Sequence, residues 1–197
     1  MRYALLIVLI GLAIFSAEIT MAESNPETGL ISFEVKEMPE FQVAFVEHIG
    51  PYQGDGALFD RLLDQLVAWA GPKGLFNFPE TALIIVYGDE SSPDTPPSMR
   101  MCIGIPEGTP MPEGIREMTI PSGKHAVGRF EIGNDEFGKA WGMMYGNLIP
   151  SHGVRPGSGS AYEIKLNDFD EHPEHKHIVD ICVPVETQDS SRVRAAK

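Results

Sequence analysis

The chain has 197 residues, with 15 Lys and Arg against 28 Asp and Glu, a formal net charge of −13. Hydrophobic residues make up 43% and charged residues 22%, an ordinary globular composition that excludes wholesale disorder and fibrous repeats. Basic residues gather only at Arg192, Arg194 and Lys197 in the tail, which argues against nucleic acid, because neutralising phosphates takes grouped Lys and Arg.

The N-terminus has the form of a targeting segment. Arg2 is followed by an apolar run over residues 4–17, shorter than the roughly 20 residues that span a bilayer as a helix. Thr20-Met21-Ala22 places small residues at a cleavage position, so residues 1–22 read as a secretory signal or, uncleaved, as a membrane anchor. A plain buried helix is the remaining alternative. Either targeting reading puts the folded part outside the cytoplasm, with the membrane met only through this segment. Residues 23–29 read as a linker, residues 30–187 as one domain, and residues 188–197 as a flexible tail.

Within the domain, residues 31–35 alternate apolar and polar, which predicts a half-buried strand. Residues 42–49 form a second strand, ended by Gly50-Pro51. Residues 57–70 place Leu58, Leu62, Leu66 and Trp69 at helical spacing, and Gly71-Pro72 stops that helix. Residues 82–87 are a strand whose unbroken apolar run predicts burial on both faces. Residues 89–98 are a polar, Pro-rich hairpin loop, and residues 100–105 return as a strand. The order then repeats. Strands are predicted over 115–120 and 125–132, and a helix over 135–149 carries Phe137, Trp141, Met144, Tyr145 and Leu148 on one stripe before Pro150. A strand over 160–166, a loop over 167–175 and a strand over 177–185 close the domain. The two halves, about 30–107 and 113–187, match weakly residue by residue, which suggests a duplicated unit.

The motifs in this order resemble the GyrI-like small-molecule-binding family, which is also the effector-binding domain of AraC-type and drug-sensing transcription regulators. The matching residues are His48-Ile49-Gly50-Pro51-Tyr52 before the first helix and Leu66-Val67-Ala68-Trp69 near its end, followed by Cys102-Ile103. Then come Pro121-Ser122-Gly123-Lys124-His125, Ala140-Trp141, Tyr162-Glu163-Ile164 with Asn167-Asp168, and Asp180-Ile181-Cys182-Val183-Pro184-Val185. The resemblance implies an α+β fold: two βαββ units related by a pseudo-twofold, a curved antiparallel sheet, helices on one side and a ligand cleft between the halves. It implies capture of flat, hydrophobic and often cationic molecules between aromatic walls and a central glutamate, which maps onto Glu163. Some relatives hydrolyse electrophilic toxins with a Glu and a Tyr, and a structurally similar family binds tetrapyrroles. Two departures stand out. The chain has a secretion-type start, and no DNA-binding domain is expected in it, which sets it apart from the transcription regulators of the family.

Alternation along the strand puts Tyr162, Ile164 and Leu166 on one face and Ala161, Glu163 and Lys165 on the other. The apolar set is expected against the helices, which sends Glu163 to the opposite face. There Glu163 either meets a ligand cation or donor, as a carboxylate in an apolar cleft must, or is a solvated strand glutamate paired with Lys165. Trp141, Tyr145, Tyr52 and Tyr162 are the candidate aromatic walls, while Trp69 is a better core residue. If the protein is an enzyme, Glu163 is its general acid or base, with Tyr145 or Tyr52 as helper. If it binds a tetrapyrrole, His48 or His125 is the axial ligand. The histidines His172, His175 and His177 lie in a loop whose spacing fits no metal motif, so no metal and no cofactor are expected. Cys102 and Cys182 lie on matching strands and are either a disulfide or two buried thiols. The leading expectation is a binding protein outside the cytoplasm, or tethered to its membrane, that takes a hydrophobic, cationic or aromatic small molecule. A hydrolase of strained electrophiles is the second.

Overall fold

The computed structural model describes residues 29–88 and 95–187. The signal or anchor over 1–22, nearly all of the 23–29 linker and the tail over 188–197 lie outside the described residues. Among the described residues no helix is long and apolar enough to cross a membrane.

Among the described residues nine strands form the frame: β1 Leu30–Met38, β2 Phe41–Ile49, β3 Leu83–Tyr87, β4 Ser98–Gly104, β5 Arg116–Ile120, β6 Gly123–Ile132, β7 Val154–Pro156, β8 Tyr162–Lys165 and β9 His177–Thr187. The main sheet runs β1-β6-β9-β8-β3-β4-β2-β5 and is antiparallel throughout, with β7 paired to the end of β9. The first half contributes β3-β4-β2 and the second the matching trio β8-β9-β6, joined where β3 pairs with β8. The first strand of each half crosses over: β1 pairs with β6 of the second half, and β5 with β2 of the first. The protein is therefore α+β, as the family resemblance implies, and among the described residues the short β7 is a strand that the sequence pattern did not announce.

Helix α1, Gly56–Ala70, begins where the Asp55 carboxylate accepts the Leu58 amide proton at 3.0 Å, satisfying an otherwise orphaned donor. It buries Leu58, Leu62, Leu66 and Trp69 on the stripe that the 3.6-residue period sets. Helix α2, Phe137–Met143, continues into a π-helical turn over Met144–Leu148 and a last turn over Ile149–Ser151. Pro150 sits inside that last turn, rather than directly after the helix.

Both helices lie on one face of the sheet. Under α1, Leu58, Leu62, Leu66 and Trp69 pack with Ala44, Val46, Ile85, Met101 and Ile103. Under α2, Ala140, Met144 and Leu148 pack with Phe33, Phe130, Val179, Ile181 and Val183. Met144 reaches the sheet because residue 128 is glycine: a β-carbon there would stand 2.5 Å from the Met144 sulfur. The other face is buried too. Met38, Val43, Phe45, Ile84, Cys102, Ile120, Val127, Tyr162 and Cys182 form one cluster although they come from strands at opposite ends of the sheet. The links explain this. Only Pro39-Glu40 joins β1 to β2, and only Pro121-Ser122 joins β5 to β6, a reach of about 10 Å at most. The sheet must curl until its distant strands meet. Cys102 and Cys182 both sit in this inner layer as free thiols, which decides between the two alternatives for them.

Candidate functional site

The site lies on β8, at the seam of the two halves. Glu163 pairs directly with Ile85 of β3 on one side and Ile181 of β9 on the other. Directly paired residues share a face, so Glu163 points to the helices, with Ile85 and Ile181. This corrects the expectation that Tyr162 and Ile164 face the helices. The alternation was right and its direction was not, because the curled sheet buries apolar side chains on both faces.

Glu163 is 1% exposed. One carboxylate oxygen accepts the Trp141 indole proton at 2.8 Å, and the other accepts from the Lys165 ammonium at 3.0 Å. Glu163 is thus the enclosed carboxylate of the first alternative and not the solvated strand glutamate of the second, although the pairing with Lys165 that the second named is present. The Tyr87 hydroxyl lies beside the same carboxylate. Burial first, and then that carboxylate, push the Tyr87 phenol well above its usual range, so it stays protonated and serves as a donor. A buried carboxylate is costly unless its lone pairs are taken up, and three donors converge on this one.

Helix α2 supplies the aromatic wall through a single stripe at i, i+4 and i+8. Phe137 carries the Lys165 ammonium 4.2 Å from its ring centroid. Trp141 binds Glu163, meets the Tyr87 ring edge to face at 5.5 Å, and stacks against Tyr145 at 6.1 Å. Tyr145 is 45% exposed and lies on the π-helical turn, so the stack runs from the enclosed carboxylate out to solvent. Tyr52 is buried in the core under α1, with its ring 5.7 Å from that of Tyr87. His177 borders the group: its Nε2 is 2.8 Å from the Asn134 side-chain oxygen, and its ring lies against Phe137. Burial, and next the Lys165 ammonium, push the His177 imidazole down to about 4, so at neutral pH it is uncharged and donates from Nε2 to Asn134.

The structure therefore gathers Glu163, Trp141 and Tyr145, with Tyr52 at the margin behind Tyr87. It does not bring Tyr162 to them. Tyr162 faces the inner layer, where its ring lies 5.3 Å from His125 and 6.4 Å from Phe41, and its buried hydroxyl lies beside the Cys182 thiol. A hollow of about 330 Å³ on that side, lined by residues that include Met118, His125, Tyr162 and Pro184, is separate from Glu163. Trp69 is core, as its spacing predicts. His48 Nε2 is engaged with the Pro51 carbonyl oxygen at 3.1 Å, and His125 Nδ1 with that of Gly123 at 2.9 Å. In the loop before β9 and at the first residue of that strand, the histidines make different hydrogen bonds. His172 Nδ1 accepts the Glu174 and Lys176 amide protons, while His177 meets Asn134.

Sequence reasoning missed Tyr87 as a member of the site. Spacing alone puts Tyr87 two residues from Ile85 on the same face of its strand, but only the pairing of β3 with β8 brings it to Glu163. Phe137 was read only as one apolar residue of a stripe, though it stands four residues before Trp141.

Residues 32–186 match the family model described as the GyrI-like small molecule binding domain. The chain is similar to a DNA gyrase inhibitor of Yersinia enterocolitica, 25% identical over 70% of this chain and 88% of that protein. It is also similar to DNA gyrase inhibitor 2 of Dickeya dadantii, 33% identical over 66% of this chain and 82% of that protein. Among solved structures, the C-terminal domain of EcmrR covers 79% of this chain and 98% of its own length, with a TM-score of 0.64 at 17% identity. SAV2435 bound to tetraphenylphosphonium covers 78% of this chain and 92% of its own length, with a TM-score of 0.58 at 12% identity. With its curled antiparallel sheet, its paired helices and this match over nearly the whole domain, the chain belongs to the GyrI-like small molecule binding domain family.

Proposed function

We propose that this protein binds hydrophobic aromatic cations at the seam between its halves, with Glu163 as the counter-charge and the Trp141–Tyr145 stack as the wall. One observation carries the reading: a carboxylate enclosed at the centre of the fold, hydrogen-bonded to the inner member of an aromatic stack whose outer member stands in solvent. Each ring offers a positive ligand about 0.5–2 kcal/mol of cation–π attraction, and an enclosed carboxylate rewards a delocalised cation because little water remains to compete. A neighbour in fold, SAV2435, is bound to a hydrophobic aromatic cation, tetraphenylphosphonium. Titrating tetraphenylphosphonium while following Trp fluorescence tests this. Wild-type protein binds, and Glu163→Gln weakens binding by about tenfold or more. Unchanged affinity in Glu163→Gln disproves the counter-charge role. The apolar run over residues 4–17 supports a place outside the cytoplasm, free or tethered. Protease protection in intact cells checks that.

A hydrolase reading has one observation in its favour. Glu163 has a phenol neighbour, and it is Tyr87 rather than Tyr145 or Tyr52. On that reading Glu163 moves the proton of an attacking water, and the Tyr87 hydroxyl stabilises the departing oxygen. Turnover of a strained electrophile, abolished in both Glu163→Gln and Tyr87→Phe, separates it from binding alone.

A further inference from the structure

The Glu163 carboxylate already has a cation. Lys165 lies two residues along β8, on the same face, and its ammonium meets the carboxylate at 3.0 Å and the Phe137 ring centroid at 4.2 Å. A carboxylate on one side and an aromatic face on the other is the environment that a ligand cation needs. The Lys165 side chain is 13% exposed, so it reaches solvent at the margin of the group while Glu163, at 1%, does not. Its four-carbon stem gives the ammonium a way out that the shorter Glu163 side chain lacks.

We propose that Lys165 is a tethered competitor for the ligand: its ammonium holds the cation position in the free protein and swings outward when an aromatic cation enters. The inference rests on the binding reading above and adds a selectivity rule to it. A small cation offers Glu163 nothing that Lys165 does not already supply, and it pays the entropy of association, which a tethered group avoids. Only a cation that also covers the faces of Trp141 and Tyr145 gains enough to displace the lysine. The position therefore discriminates by aromatic surface and not by charge alone, which is how a site rejects the abundant small cations around it.

The test uses the full chain at pH 8, with tetraphenylphosphonium and tetramethylammonium as probes. Lys165→Met keeps the aliphatic stem against Phe137 and removes the charge. The expected result is tetraphenylphosphonium affinity tightened by about tenfold, with measurable tetramethylammonium binding that the wild type lacks. Lys139→Met, an exposed position on α2, controls for the loss of one positive charge and leaves both affinities unchanged. Equal tightening in the two variants overturns the proposal, because the effect is then long-range charge. Weaker or unchanged tetraphenylphosphonium binding in Lys165→Met also overturns it, while Glu163→Gln continues to test the underlying site on its own. If neither wild type nor Lys165→Met binds the phosphonium, the binding reading fails and this inference falls with it. A second measurement needs no variant. In wild-type protein, acylation of Lys165 by an amine-reactive reagent, followed by peptide mass spectrometry, rises as tetraphenylphosphonium saturates the site. Labelling that falls or stays level shows that the lysine does not leave, and overturns the proposal.

Discussion

The two halves share a plan and differ at the seam where they meet. At the facing positions, the first half places Ile85 and the second places Glu163. Under α1 the first half is a continuous apolar core, and α1 is a regular helix with a side-chain N-cap. In the second half, α2 passes into a π-helical turn, and its Phe137, Trp141 and Tyr145 are given to a lysine, a carboxylate and one another. Both copies bury an apolar core under their helix, and the second also encloses a carboxylate at the seam. The lesson is that a duplicated fold frees one copy to carry a buried charge that the other does not need.

Substitutions break or sharpen that contrast. The largest effect belongs to the first half. Leu66 is fully buried under α1, so Leu66→Ala lowers unfolding stability by about 3–4 kcal/mol in a denaturant titration while the folded fraction keeps its ligand affinity. In the second half, Trp141→Phe retains the ring and removes the proton donated to Glu163. It costs about 1–2 kcal/mol of stability and weakens tetraphenylphosphonium binding by calorimetry, so stability and binding fall together there.

Acid separates the halves next. The folded protein holds the His177 imidazole at about 4, below its ordinary 6.5. Between those values the unfolded chain takes up a proton that the folded chain refuses, so this contribution is complete above about pH 6.5 and is lost as the pH falls towards 4. Because the ring is only half-buried, the loss is about 1 kcal/mol. His177→Gln flattens the pH dependence of the denaturation midpoint across that window. Smallest in stability is Tyr145→Ala, where an exposed ring is removed. Unfolding changes by less than about 0.5 kcal/mol, but ligand affinity drops severalfold, because the outer half of the stack is gone.

Much of this was legible in the sequence. The period of Leu58, Leu62, Leu66 and Trp69 announces α1, and the spacing of Trp141 and Tyr145 places both rings on one side of α2. Alternation correctly parts Tyr162 from Glu163. It does not tell which of them meets the helices, because alternation reports two faces and assumes that only one is buried. Here the links through Pro39-Glu40 and Pro121-Ser122 roll the sheet, and Phe41, Cys102 and Cys182 bury Tyr162 from the other side. Tyr87 was hidden for a related reason. It ends a strand of apolar residues, and only the pairing of β3 with β8 shows that its hydroxyl arrives at a carboxylate.

The exchanged outer strands bear on how anything enters. With β1 laced onto β6 and β5 onto β2, the two halves are bolted at both margins as well as along β3 and β8. They cannot part like the jaws of a clamp without tearing backbone hydrogen bonds on three fronts. On the proposed binding reading, a guest is admitted by the turning of a few side chains, Lys165 among them, so the doorway is a matter of rotamers and the frame around it stays still.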